Sequence, residues 1–172
     1  MLRKLLIVIC LFLSVLSSHA QKDIKKFIAL SGKITSAVWP DTLGKGLNKA
    51  VVEAFADGKK IASDTASSSG QYKIKKIPYA PSIQIVFKET NHLPKMIDID
   101  FTEFGNDNAA SLILEMDAFL YRNDDYLGVN FLRTKPFGKG IYSMKQKGVL
   151  WDDRYYYEMK ARLDAVLKAY SE

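Results

Sequence analysis

Between Ser31 and Phe101, apolar and polar residues alternate in short runs separated by turn residues, and this period of two predicts strands. Ile28, Leu30 and Ile34 share one face of a first strand, with Gly32 in register between them. A loop through Trp39-Pro40-Asp41 to Gly44-Lys45-Gly46 ends it. Ala50, Val52 and Ala54 mark a second strand, which Asp57-Gly58 turns as a hairpin into a third over Lys59 to Thr65. After a turn at Ser67 to Gly70, Tyr72 and Ile74 alternate with Lys73 and Lys75. Ile83, Ile85 and Phe87 then alternate with Gln84 and Lys88, and Ile97, Ile99 and Phe101 with Asp98 and Asp100. Past a polar turn at Asn106-Asp107-Asn108, Leu112, Leu114 and Met116 supply the last strand. About seven half-buried antiparallel strands at this spacing predict a mainly β chain, a seven-stranded Greek-key β-sandwich.

The pattern changes on both sides of that block. At the start, Arg3 and Lys4 precede an apolar run from Leu5 to Leu16 broken only by Ser14, and Ser18-His19-Ala20 offers a small-x-small cleavage site before Gln21. Residues 1–20 read as a secretory signal peptide, because the run is shorter than the roughly 20 apolar residues of a spanning helix. Lipidation at Cys10 is not expected, since Ile9 stands where a small residue would be needed. At the far end, Tyr156, Met159, Leu163, Val166, Leu167 and Tyr170 recur at three and four. With Asp152 or Asp153 as cap and Glu158–Arg162 and Asp164–Lys168 as i,i+4 pairs, residues 152–172 predict an amphipathic α-helix. Its apolar stripe would pack on its own sandwich, on a partner or on a membrane surface.

Cleavage after Ala20 removes the only cysteine and one of the two histidines, leaving 152 residues with His92 as the single imidazole. A disulfide is then excluded, and stability must come from a core that one domain of this length can bury. The remaining chain carries 23 basic and 19 acidic residues, too small an excess to imply nucleic acid. The excess is concentrated in the C-terminal third, where Arg133, Lys135, Lys139, Lys145 and Lys147 occur between Tyr126 and Trp151 without an acid.

Gly32-Lys33-Ile34-Thr35, Gly46-Leu47-Asn48-Lys49-Ala50-Val51-Val52, Ser63-Asp64-Thr65 and Ser69-Gly70-Gln71-Tyr72-Lys73-Ile74 resemble the motifs of the carboxypeptidase regulatory-like domain. The resemblance spans residues 28–121 and implies a transthyretin-like, prealbumin-type sandwich. Gly46-Leu47 stands where that family usually has Pro-Leu, and Asn91-His92 where it often has Gly-Tyr; Asn91 would take the left-handed conformation there. Such modules are accessory domains on many unrelated proteins, so the resemblance speaks for fold more than for function. It also brings related sandwiches into view. Hydroxyisourate hydrolases of this type use several histidines and a Tyr-Arg-Gly-Ser type ending, and intradiol dioxygenases hold iron with two Tyr and two His. One remaining histidine supplies neither set.

Other chemistry is sparse. The Ser67–Ser69 run lacks a G-x-S-x-G elbow, and a triad would have to recruit His92, which reads as a packing or solvated turn residue. Asp98/Asp100 and Asp124/Asp125 read as solvated faces. Asn106-Asp107-Asn108 and Asn123-Asp124-Asp125 lack the spacing of a calcium loop. No catalytic residue, metal or cofactor is expected. The candidate binding surface is the basic and aromatic arm over 122–151, namely Arg133, Lys135, Phe137, Lys139, Tyr142, Lys145, Lys147 and Trp151, in which cations pair with anions and rings stack on sugars or apolar surfaces. Pro136-Phe137-Gly138 and Gly140 predict an irregular segment. The domain plan is a leader over 1–20, a sandwich over 21–121, this arm, and a helix over 152–172. It implies an exported, periplasmic or secreted, non-enzymatic binding or scaffolding module of a bacterial envelope, with an envelope protein or a glycan as partner. The alternatives are a hydrolase or glycan-processing enzyme and a carbohydrate-binding module that uses the aromatic tail.

Overall fold

The computed structural model describes residues 25–38, 42–122 and 131–169. The expected leader, the Trp39-Pro40-Asp41 turn, the Asn123-Asp124-Asp125 acids and Tyr170 lie outside them. In chain order the elements are β1 (Phe27–Val38), β2 (Thr42–Gly46), β3 (Val51–Ala56), β4 (Lys59–Thr65), β5 (Gln71–Pro78), β6 (Ser82–Lys88), β7 (Lys95–Asp100), α1 (Thr102–Asn106), β8 (Ser111–Glu115), β9 (Ala118–Tyr121), β10 (Gly138–Ser143), β11 (Gly148–Trp151) and α2 (Asp153–Ala169).

Two sheets face each other. One runs β2-β1-β5 with β8 and β9 also on β1, and the other runs β11-β10-β7-β6-β3-β4. β1 is long enough to serve four neighbours: its first half lies between β5 and β8, its second half between β2 and β9. The predicted inward rows fill the gap between the sheets. Ile28, Leu30, Ile34, Val52, Ala54, Tyr72, Ile74, Ile83, Ile85, Phe87, Ile97 and Ile99 are all buried there. Burial of each large aliphatic or aromatic side chain contributes roughly 1.5–3 kcal/mol. The Asp57-Gly58 hairpin forms as expected, with φ of 49° and 71°.

The mainly β sandwich with a C-terminal helix is therefore as the alternation predicts, but four strands were not legible in it: β2, β9, β10 and β11. β2 (TLGKG) and β9 (AFLY) are short and pair with β1; the two inward residues of β9, Ala118 and Leu120, are too brief an alternation to mark a strand. β10 and β11 correct the expectation of an irregular arm. A Cβ on Gly140 would lie 2.5 Å from Val149 Cγ1 and 3.1 Å from the Trp151 ring, so this glycine makes room for the partner strand's side chains instead of breaking the strand. Direction also departs from the expected all-antiparallel arrangement, because β1–β8, β1–β9 and β7–β10 are parallel. A period of two is the same for either direction; the connections decide it.

The motif residues of the resemblance meet at one place. A Cβ on Gly46 would fall 1.9 Å from Ser69 O, and one on Gly70 (φ +84°) 2.3 Å from Ile34 O and 2.8 Å from Gly46 Cα. Ile34 N donates to Gly70 O at 2.8 Å, and Leu47 N to Ile34 O at 2.9 Å. Both glycines permit close backbone approach where β1, β2 and β5 converge. They build the sandwich and carry no chemistry. Asn91, by contrast, does not take the left-handed conformation; the turn closes through His92 N donating to Glu89 O at 3.1 Å.

A second core lies outside the sandwich. Met159, Leu163 and Leu167 of α2 pack with Leu93, Phe131, Leu132 and Phe137, so the helix stripe docks on its own chain. Asp152 Oδ1 accepts from Tyr155 N at 2.9 Å and caps the helix as predicted. Surface pairs along the helix include Arg154–Glu158 and Lys160–Asp164; Arg162 lies 4.2 Å over the Phe131 ring instead of pairing with Glu158. Among the described residues no helix is long and apolar enough to cross a membrane.

Candidate functional site

The eight residues of the expected binding surface do not form one surface. Tyr142 is 1% exposed and Phe137 7%, so both are core residues and not contact residues. Tyr142 faces inward from β10 and donates to Asp107 Oδ2 at 2.7 Å. Lys147 joins it, its amine 2.9 and 2.8 Å from the two Asp107 oxygens, and Ala109 N donates to Oδ1 at 3.1 Å. The Lys147 and Tyr142 hydrogen bonds, in that order, with that from Ala109 N, hold the Asp107 carboxyl well below the usual range. Burial, and then Asp107, push the Tyr142 hydroxyl up to about 12. This polar knot ties the β10–β11 hairpin to the loop after α1, and it occupies the Asp107 oxygens. Arg133, Lys135 and Lys145 are exposed. Lys139 places its amine 4.4 Å over the Tyr155 ring.

Phe137, Lys139 and Trp151 do come together, in a cleft of about 350 Å³ that also includes Lys95, Glu115, Asp117, Asp152 and Tyr156. A second cleft, of about 210 Å³, shares Lys95, Phe137 and Tyr156 with it and lies between the sandwich and α2. Its walls are Ala37, Leu93, Pro94, Phe119, Tyr121, Leu132 and Leu163, with Lys160 as a second cation. The two cores create this space. β9 turns Ala118 and Leu120 into the sandwich and leaves Phe119, 38% exposed, on the other face toward the helix. The Phe137 and Tyr156 rings meet edge to face at 5.6 Å and 85°.

Lys95 is the unusual member. It opens β7 opposite Phe87 and two residues before Ile97, on the inward row. Its amine lies 4.7 Å over the Phe137 ring and 5.8 Å over the Phe119 ring. No carboxylate among the described residues pairs with it, and burial pushes its pKa from the ordinary 10.5 down to about 8. The sequence carried the signal for it: Lys95 is the one charge in register with Ile97 and Ile99, where the alternation calls for an apolar residue.

A polar cluster occupies a different place. His92, in the β6–β7 connection, has Nε2 3.0 Å from Ser36 Oγ and Nδ1 2.5 Å from Glu89 Oε2. Its side chain is 8% exposed. Burial raises the Glu89 pKa, but the hydrogen bonds from Asn91 N and His92 outweigh it and hold the carboxyl below its ordinary value. Nδ1 therefore donates to an ionised acceptor. The order of contacts is that of a nucleophile, a base and an orienting acid. It was legible only as a Glu-x-x-His pair in a turn, since Ser36 lies on another strand. A Cβ on Gly44 would sit 3.2 Å from Ser36 Cβ, so β2 backbone covers the serine closely, and none of the three residues lines either cleft.

No family model matches the sequence, and no curated protein matches it. Solved structures overlap with parts of the fold. Chlorocatechol 1,2-dioxygenase from Pseudomonas putida aligns at 12% identity and a TM-score of 0.41, covering 59% of this chain and 63% of that one. Catechol 1,2-dioxygenase from Acinetobacter sp. ADP1, inhibited by bound mercury, aligns at 14% identity and 0.38, covering 62% and 56%. Klebsiella pneumoniae 5-hydroxyisourate hydrolase aligns at 15% identity and 0.33, covering 56% and 98%. The chain thus spans less than two thirds of the length of the two dioxygenases. Overlaps of this quality carry no argument about chemistry, and the sandwich stands on its own strands.

Proposed function

We propose that the chain is an exported, non-enzymatic binding module of a bacterial envelope, with a carboxypeptidase regulatory-like sandwich over 21–121 as platform and the cleft beneath α2 as its working surface. The observation that carries this reading is the half-buried Lys95 ammonium, which no carboxylate among the described residues pairs with, on a cleft whose other walls are mostly apolar and aromatic. A group that costs stability where it stands, on the lining of a mostly apolar cleft, fits recognition better than scaffolding alone. The test is native mass spectrometry of the protein purified without denaturation from the envelope fraction of its host. A retained occupant should be lost from Ala37→Phe, which fills the cleft from its sandwich wall, while the folding transition of that variant stays cooperative. An occupant equally retained by Ala37→Phe would place binding elsewhere and end this reading.

The second reading, a hydrolase, is favoured by Ser36, His92 and Glu89. A fluorophosphonate that labels Ser36 in the native protein and fails to label His92→Gln would establish an activated serine. The binding reading expects no label at Ser36 in either protein.

A further inference from the structure

We propose that the 210 Å³ cleft takes a small apolar monocarboxylate, an acid with one ring or a short branched chain, whose carboxylate meets the Lys95 ammonium while its apolar part lies against Phe119, Leu132 and Phe137. This rests on the reading of the cleft as the working surface and adds the chemical class of its occupant.

Size sets the first limit. An apolar cavity of about 150 Å³ holds one benzene ring, so the larger cleft admits a ring with a short acid-bearing chain and excludes most peptides and glycans from its interior. Charge sets the second. Lys95 leans on two π faces with no carboxylate partner among the described residues, and a cation over a ring in partly desolvated surroundings recovers about 2 kcal/mol. A ligand carboxylate restores the missing partner in an environment where one charge-assisted contact discriminates strongly against a neutral analogue. The number of donors sets the third. Lys160, the other cation of the cleft, already holds Asp164 at 3.0 and 3.2 Å, which leaves one ammonium for the ligand. One ammonium among apolar walls suits a monoanion with an apolar body; phosphate or sulfate dianions need several donors and a polar lining. Selectivity against cations follows from the same ammonium.

The experiment titrates 3-phenylpropionate and its neutral analogue 3-phenylpropan-1-ol into the exported protein at pH 7, with amide shifts of Leu93, Phe119 and Leu132 locating the site. The acid should bind about tenfold tighter than the alcohol or better. Its advantage should shrink toward pH 9.5, as Lys95 loses its proton, and should vanish in Lys95→Met and Lys95→Gln while the alcohol keeps its affinity. Equal affinity for acid and alcohol, with shifts confined to the cleft, would overturn the carboxylate class and leave the binding reading standing. An acid preference that survives in both Lys95 variants would overturn the assignment of Lys95. Failure of both probes, together with an occupant retained in the cleft by native mass spectrometry, would overturn the ligand class alone; failure of both with no occupant would overturn the binding reading as well.

Discussion

Replacing Lys95 by methionine should stabilise the ligand-free protein, and the gain should depend on pH in a way that only a desolvated ammonium produces. The stem of the side chain stays, and its end then matches the Phe119 and Phe137 rings over which the amine lies. A fall in pKa from 10.5 in the unfolded chain to about 8 in the folded one corresponds to a destabilisation on the order of 3 kcal/mol wherever the group is protonated in both states. Between about pH 8 and pH 10.5 the unfolded chain binds more protons than the folded one, so stability of the native sequence rises with pH across that window. Above it both states are neutral and the penalty is gone. Lys95→Met lacks this titration. The assay is urea denaturation of both proteins in matched buffers from pH 6.5 to pH 11. The variant should be more stable by roughly 2–3 kcal/mol up to about pH 8, and the gap should close by about pH 10.5. Tyr72, Tyr142 and Tyr155, whose hydroxyls burial pushes up, titrate in both proteins, so their effect cancels in the difference. Parallel profiles, or a variant less stable at pH 7, would refute the claim that Lys95 sits unpaired in apolar surroundings.

Leu163→Ala removes a side chain 1% exposed at the centre of the α2 contact, and a loss of about 3 kcal/mol in chemical denaturation is expected, with the cleft losing one wall. Gly70→Ala would drive a methyl to 2.3 Å from Ile34 O at a φ of +84°, so the variant should fail to give a cooperative thermal transition by far-UV circular dichroism. Tyr142→Phe takes one of the hydrogen bonds that hold Asp107 below its ordinary range. Stability from that ionised carboxylate is present at neutral pH and lost as pH falls through its lowered pKa, so the acid-unfolding midpoint of the variant should move to higher pH. Ser36→Ala should cost about 1 kcal/mol in the same denaturation assay, through the lost contact with His92, and should leave cleft binding untouched.

What the sequence determined by itself was the set of inward rows. Seven strands, the Asp57-Gly58 hairpin and the capped helix are local matters of alternation, turn chemistry and spacing, and each lies where those predict it. Strand direction, the four short strands and the fate of the arm were decided only in three dimensions. They depend on what β1 and β7 offer as partners and on glycines whose missing side chains are filled from a neighbouring strand. The expected surface failed for the same reason: nothing in the spacing of Phe137, Tyr142 and Lys147 told that Phe137 would close the second core and that Asp107, 35 and 40 residues before Tyr142 and Lys147, would claim both. The cleft is farther still from local reading, because its walls come from β1, the β6–β7 connection, β9, the arm and α2. One trace of it was present in the chain, a lysine on an apolar row. Its meaning needed the two rings that tertiary packing places beneath the amine, and the lack of a carboxylate partner for it among the described residues.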